Sequence, residues 1–99
     1  LKKDTWCAYQ LYKPEQGKGF IMAFRREECR RPRLLAFLGG IDDNGVYRLT
    51  NLDTGKSREI IGLELNSFGY TIVLNEPRSS ALITIERVGT IDNSAIPEL

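Results

Sequence analysis

The chain has 99 residues, of which 41% are apolar and 27% charged, with a formal net charge of +1. That composition suits one folded domain. A second hydrophobic core would need roughly 50 residues more than a first leaves over. The small net charge supplies no global field to recruit nucleic acid or anionic lipid. No apolar run approaches the roughly 18 residues of a membrane helix, the densest being Leu34 to Leu38. We therefore expect neither a nucleic-acid nor a membrane partner. A chain that opens on Leu1 without an initiator Met is expected of a piece of a longer protein.

The period that organises the sequence is two, the signature of strands whose successive side chains point to opposite faces. In the first candidate strand Trp6, Ala8, Gln10 and Tyr12 share one face and Cys7, Tyr9 and Leu11 the other. In the second, Phe20, Met22 and Phe24 alternate with Ile21, Ala23 and Arg25, and Pro14 and Gly17 lie between the two strands, which reads as a hairpin. Next comes Arg25-Arg26-Glu27-Glu28-Cys29-Arg30-Arg31-Pro32-Arg33, five arginines against two glutamates. Its charge and Pro32 keep it out of a sheet interior, so we read it as a solvated connection whose guanidinium groups could meet carboxylates of a neighbouring domain.

A short apolar strand from Arg33 to Leu38 ends at Gly39-Gly40, and Val46 to Leu52 follows Asp42-Asp43-Asn44-Gly45, whose Asn-Gly pair favours a tight turn. Asp53-Thr54-Gly55 is a further turn before Ser57 to Ile61. Gly62-Leu63-Glu64-Leu65 reads as a short strand or bend, and Tyr70 to Leu74 as a strand broken by Glu76-Pro77. The last strand, Ser79 to Arg87, puts Ala81, Ile83 and Ile85 on a core face. Turn signals about every 8 to 12 residues, with no crossover long enough for a helix, predict an all-β fold. Specifically, they predict an antiparallel two-sheet β-sandwich of Greek-key type with about seven to eight short strands. It would be a single domain with its core at about residues 6–87 and an extended or frayed tail over 88–99.

Chemistry has few places to reside. His is absent, which removes Ser-His-Asp and Cys-His arrangements and the usual general base near neutral pH. Cys7 and Cys29 match no zinc spacing. One disulfide would satisfy their count, but we expect free thiols, with Cys7 a small buried hydrophobe inside its strand. The carboxylate pairs Asp42/Asp43, Glu27/Glu28 and Asp53/Glu64 read as solvated turns rather than acid–base pairs. Asp42 to Asp53 lacks the calcium-loop pattern because its twelfth residue is Asp, and Gly17-Lys18-Gly19 lacks the remainder of a phosphate loop. No cofactor is expected. Trp6, Phe20, Phe24 and Tyr70 fit core faces, and large aromatics supply much of the burial a small domain needs. Tyr9 and Tyr12, on opposite faces of one strand, cannot both enter one core, so one of them should face a partner.

Six segments of the sequence resemble a family. Trp6-Cys7-Ala8-Tyr9-Gln10, Pro14-Glu15-Gln16-Gly17-Lys18-Gly19-Phe20 and Ala23-Phe24-Arg25-Arg26-Glu27 resemble the opening of the C-terminal β-sandwich of family 36 glycoside hydrolases, the α-galactosidases and their relatives. Tyr47-Arg48-Leu49-Thr50-Asn51-Leu52-Asp53-Thr54-Gly55, Gly62-Leu63-Glu64-Leu65 with Gly69, and Pro77-Arg78-Ser79-Ser80-Ala81 are similar to its later strands. The resemblance runs from Trp6 to about Ile85; Arg30 to Arg33 and the residues after Arg87 fall outside it. It implies a noncatalytic accessory domain packed against a catalytic (β/α)-barrel of the same parent chain, with the catalytic aspartates on that barrel and none carried onto this sequence. Tyr9, Tyr12, Arg25, Arg26 and Arg31 are the candidates for sugar or interdomain contact. An independent carbohydrate-binding module, with carbohydrate as its partner, and an Ig-like interaction domain are the alternatives.

Overall fold

The fold is a computed structural model, and the structure describes residues 6–91. Its elements are β1 (Trp6–Lys13), β2 (Lys18–Arg25), β3 (Arg33–Ala36), β4 (Gly45–Asn51), β5 (Ser57–Ile61), α1 (Gly62–Phe68), β6 (Tyr70–Val73) and β7 (Ser80–Thr90). Five strands form one antiparallel sheet in the order β1-β2-β7-β4-β5, and β3 pairs with β6 in a second. The last strand lies between β2 and β4, so the large sheet is a crossed arrangement rather than a meander. The all-β, two-sheet sandwich expected from the period-two pattern is the fold observed.

Register decides which side chains meet. Ile21 pairs with Ile83 and Ala23 with Ala81 across β2 and β7, and Leu49 pairs with Ile85 across β4 and β7. Together with Tyr47 and Ile60 these residues form the buried inner face, and Ala36, Ile72 and Leu65 close over it. Adjacent strands thus present β-branched and small residues to each other in the same plane, where such pairs pack well. Trp6, Tyr12, Leu34, Leu38 and Tyr70 pack around the margin of that core.

Turn chemistry sets the connections. Asn51 Oδ1 accepts the amide of Asp53 at 2.9 Å, and Gly55, at φ 74°, donates its amide to the Asn51 carbonyl at 2.8 Å, which makes the expected Asp53-Thr54-Gly55 turn. Asp42 Oδ1 accepts the Asn44 amide at 3.0 Å, so the Asp42–Asn44 turn precedes Gly45 rather than centring on Asn-Gly.

Three expectations are corrected. Gly62 to Phe68 is a helical turn, not a strand or bend: Gly62 and Leu65, three apart, face inward, and Gly69 at φ 72° ends the helix with its amide on the Leu65 carbonyl. Seven residues give too short a window for a helical period to stand out. Phe20 and Phe24 are exposed rather than core, because Ile21, Ala23 and Arg25 take the inner side of β2. Cys7, paired with Phe24, lies half-buried on that same outer side, while Cys29 in the arginine-rich connection is the fully buried thiol; both are free. Of the tail expected to be extended or frayed, Val88 to Thr90 are extended and continue β7, pairing with Gly45 and Val46; residues 92–99 lie outside the described residues.

The helix start is tightly seated. A Cβ placed on Gly62 would lie 1.8 Å from the Asp42 carbonyl oxygen, a backbone atom with no freedom to yield. Gly62→Ala should therefore destabilise the fold by about 3 kcal/mol, as expected for overpacking. Urea unfolding monitored by Trp6 fluorescence would measure it, and a loss under 1 kcal/mol would mean that the Asp42 turn moves freely away from the helix.

Candidate docking surface and arginine junction

The outer face of the large sheet follows from the same registers. Tyr9, Met22 and Leu82 form one row across β1, β2 and β7; Leu11, Phe20 and Thr84 form the next; Cys7, Phe24 and Ser80 the third. Lys13, Lys18, Glu86, Arg48 and Glu59 form a charged row at one end, with Arg48 and Glu59 paired at 3.1 Å. Among the described residues none covers the apolar rows, and Tyr9, Leu11, Phe20, Phe24 and Leu52 are exposed. This half of the face therefore lacks the polar alternation of a sheet solvated on one side.

The candidate contact residues do not converge on one site. Tyr9 stands on the outer face, 60% exposed. Tyr12, on the inner side, meets the Tyr47 ring edge-on, with centroids 5.6 Å apart. The two tyrosines of β1 therefore divide as the alternation required, and Tyr9 is the one left outward. Arg31 is exposed and serves through its backbone: its carbonyl accepts the Trp6 indole N–H at 2.8 Å.

Arg25 corrects the reading of the connection as wholly solvated. It is only 7% exposed. Its Nε and Nη2 donate to the Cys29 carbonyl at 3.0 and 2.7 Å, and its Nη1 to the carbonyls of Leu74 and Asn75 at 3.0 and 2.8 Å. The guanidinium is thus turned into the protein and holds the loop before β3 and the segment after β6 to the end of β2. Its periodic position beside Ile21 and Ala23 was the available signal, since a residue two after a buried alanine on a strand shares that face. Arg26 is half-buried.

Four of the acidic residues near the turns and strand ends are engaged locally. Asp42 pairs with Arg87 at 2.9 Å, Asp43 accepts from Asn66 Nδ2 at 2.7 Å, Glu64 pairs with Arg58 at 3.4 Å and Glu27 pairs with Arg78. The Asn44 amide, and after it Arg87, hold the Asp42 carboxyl below its ordinary range. Among the described residues no three His, Cys, Asp or Glu side chains gather as metal ligands. Comparison with protein-family models, curated proteins and solved structures returns no match.

Arg78 went unnoticed in the sequence. It follows Pro77 at φ 62°, and the other described residues with positive φ are glycines. Proline followed by a left-handed residue fits a type II turn, whose third position favours Gly; nothing in a Pro-Arg dipeptide announces that.

Two measurements test this account. Arg25→Met should cost about 2–3 kcal/mol in urea unfolding, because it removes the donors of the buried Cys29 carbonyl and of the partly buried Leu74 and Asn75 carbonyls, and Arg25→Lys should recover only part, lacking the fork geometry. Burial, with a hydrogen bond to Tyr47, pushes the Tyr12 hydroxyl up to about 12. The folded state then holds that proton more tightly than the unfolded chain, whose tyrosine ionises near 10. Stability should accordingly be unaffected by Tyr12 below pH 10 and fall between pH 10 and 12. Alkaline unfolding of the Tyr12→Phe variant should show a shallower decline over that interval; an identical slope would remove Tyr12 from the titration.

Proposed function

We propose that this chain is a noncatalytic accessory β-sandwich of a family 36 glycoside hydrolase-like enzyme, packing against that enzyme's catalytic barrel through the outer face of the large sheet. The observation that carries the reading is the division of apolar residues between two faces. The inner face is closed by β3, β6 and α1, yet Tyr9, Leu11, Phe20, Met22, Phe24 and Leu82 assemble a second apolar layer with nothing described above it. Removing such a layer from water yields about 25 cal/mol per Å², which makes it suited to a permanent partner. The acidic side chains, tied to turns and arginines, suit a module that supports rather than performs chemistry. The resemblance supplies the partner's identity, and fold alone would not.

One observation favours sugar binding as a second reading: Tyr9, Phe20 and Phe24 expose aromatic rings on one face. The polar groups near them are sparse, Ser80 and Thr84 being the hydroxyls in the same rows, and sugar sites need convergent hydrogen-bonding groups beside their stacking rings.

Reading the coding sequence upstream of Leu1 should reveal a (β/α)-barrel, and a gene without one refutes the proposal. Where the barrel is present, it should bind this chain when the two are expressed as separate polypeptides, and Leu11→Lys with Phe20→Lys should abolish the association while leaving the isolated chain folded. Calorimetric titration of the chain with galactosides should give no heat of binding; heat that vanishes in Tyr9→Ala would establish the sugar-binding reading instead.

A further inference from the structure

Where β2 ends, the backbone of the arginine-rich connection is fastened to the turn that leads into β7. The Arg78 amide donates to the Arg25 carbonyl at 2.9 Å and the Arg25 amide to the Ser79 carbonyl at 3.0 Å. Beside this junction opens a cavity of about 390 Å³ lined by Phe24, Arg25, Arg26, Glu27 and Arg78. Three arginines and one glutamate thus share its lining.

The three are not equivalent. Arg25 spends its donors on backbone carbonyls. Arg78 reaches Glu27 but keeps 75% of its side chain exposed. Arg26 Nε is shut off from water and has no acceptor. With that nitrogen enclosed and the residue only half-buried, the terminal nitrogens of Arg26, for which no hydrogen bond is described, are the donors an arriving acceptor would meet. The backbone adds an independent sign. Arg78 holds a left-handed conformation that disfavours any side chain bearing a Cβ, so a cation stands where glycine would be the unstrained choice. The Glu27 pair, at the surface, is weak compensation for that strain.

We propose that this cavity is a carboxylate-binding site, formed by Arg26 and Arg78, that receives an Asp or Glu side chain from the protein surface covering the outer face of the large sheet. The inference rests on the docking role proposed above and names its polar anchor. The guanidinium fork matches the two oxygens of a carboxylate. Phe24 belongs both to the cavity wall and to the exposed apolar face. The incoming carboxylate should therefore be flanked by apolar residues, as on a docked protein, rather than belong to a small hydrophilic metabolite.

The site is testable on this chain without its partner. N-acetyl-leucyl-aspartyl amide, its asparaginyl counterpart and inorganic phosphate would each be titrated at fixed ionic strength while the Glu27 backbone amide resonance, in the cavity wall and present in every variant, is followed by NMR. The aspartyl peptide should shift that resonance saturably and the asparaginyl peptide should not. Arg78→Gly and Arg26→Gln should each weaken binding by about tenfold, the loss of one charge-assisted contact. Arg78→Gly tolerates φ 62° without strain and so keeps the turn folded. Absence of a saturable shift, equal binding of both peptides, equal affinity in both variants, or tighter binding of phosphate would each overturn the carboxylate site. Because the readout needs no barrel, that failure is distinct from failure of the docking role, which the coding sequence and the outer-face variants decide.

Discussion

A buried guanidinium without a carboxylate partner ties the two sheets together at one end. Arg25 enters the core from the inner face of β2, and its donors reach the carbonyls of Cys29, Leu74 and Asn75. Those carbonyls flank the small sheet: Cys29 precedes β3, and Leu74 and Asn75 follow β6. A charge removed from water is tolerable only where its donors are satisfied, and here backbone dipoles satisfy them. The arrangement fixes where β3 and β6 sit over the large sheet, and so decides which face of that sheet becomes core. The buried Cys29 and the Trp6 indole bond to Arg31 hold the same connection from either side.

At the opposite end a tyrosine has the equivalent role. Tyr47 is fully buried, its hydroxyl accepts the Asp42 amide at 2.9 Å, and Tyr12 packs edge-on against its ring. Arg87 stands 5.9 Å from the ring centroid and also pairs with Asp42. One side chain therefore links β1, β4, β7 and the turn before β4. Aromatic edge-to-face contact and cation–π attraction each contribute modestly, but they converge on a group whose removal would also take the hydrogen-bond acceptor from the partly buried Asp42 amide.

Alternation along each strand was legible from the residues, and with it the two-layer plan, the β1–β2 and β4–β5 hairpins, the Asp53–Gly55 turn and the core face of β7. What alternation cannot reveal is which of two apolar faces is covered. On β2 both sides read as hydrophobic, and size suggests that Phe20 and Phe24 should be inside. The close approach of β7 settles it otherwise: Ile21 and Ala23 meet Ile83 and Ala81 at a spacing beneath the small sheet where smaller residues pack. The helix escaped notice because its inward residues number two, and the αL glycine that ends it resembles any other turn glycine. At the arginine junction the alternation of β2 places Arg25 on the inner face, but the carbonyls of Leu74 and Asn75 that receive its guanidinium lie about fifty residues away, and no local pattern encodes that meeting.

The arrangement of size across the large sheet bears on what the outer face is for. A sheet solvated on one side ordinarily alternates apolar with polar residues, and the β4–β5 half of this sheet follows that rule with Arg48, Thr50, Ser57 and Glu59 outward. The β1–β2 half breaks it, placing Tyr9, Leu11, Phe20 and Phe24 outward although the inner face below them is already closed. β1 is moreover an edge strand, where unpaired backbone groups beside exposed apolar side chains invite association with other chains. The charged row of Lys13, Lys18 and Glu86 bounds that half at one end and the arginine junction bounds it at the other. An apolar field framed by charge in this way has the anatomy of a protein interface, a dry centre with a polar rim. In the docking proposed here the rim is where orientation would be selected: the apolar centre attracts any hydrophobic surface, whereas the proposed carboxylate contact at Arg26 and Arg78 would set one register.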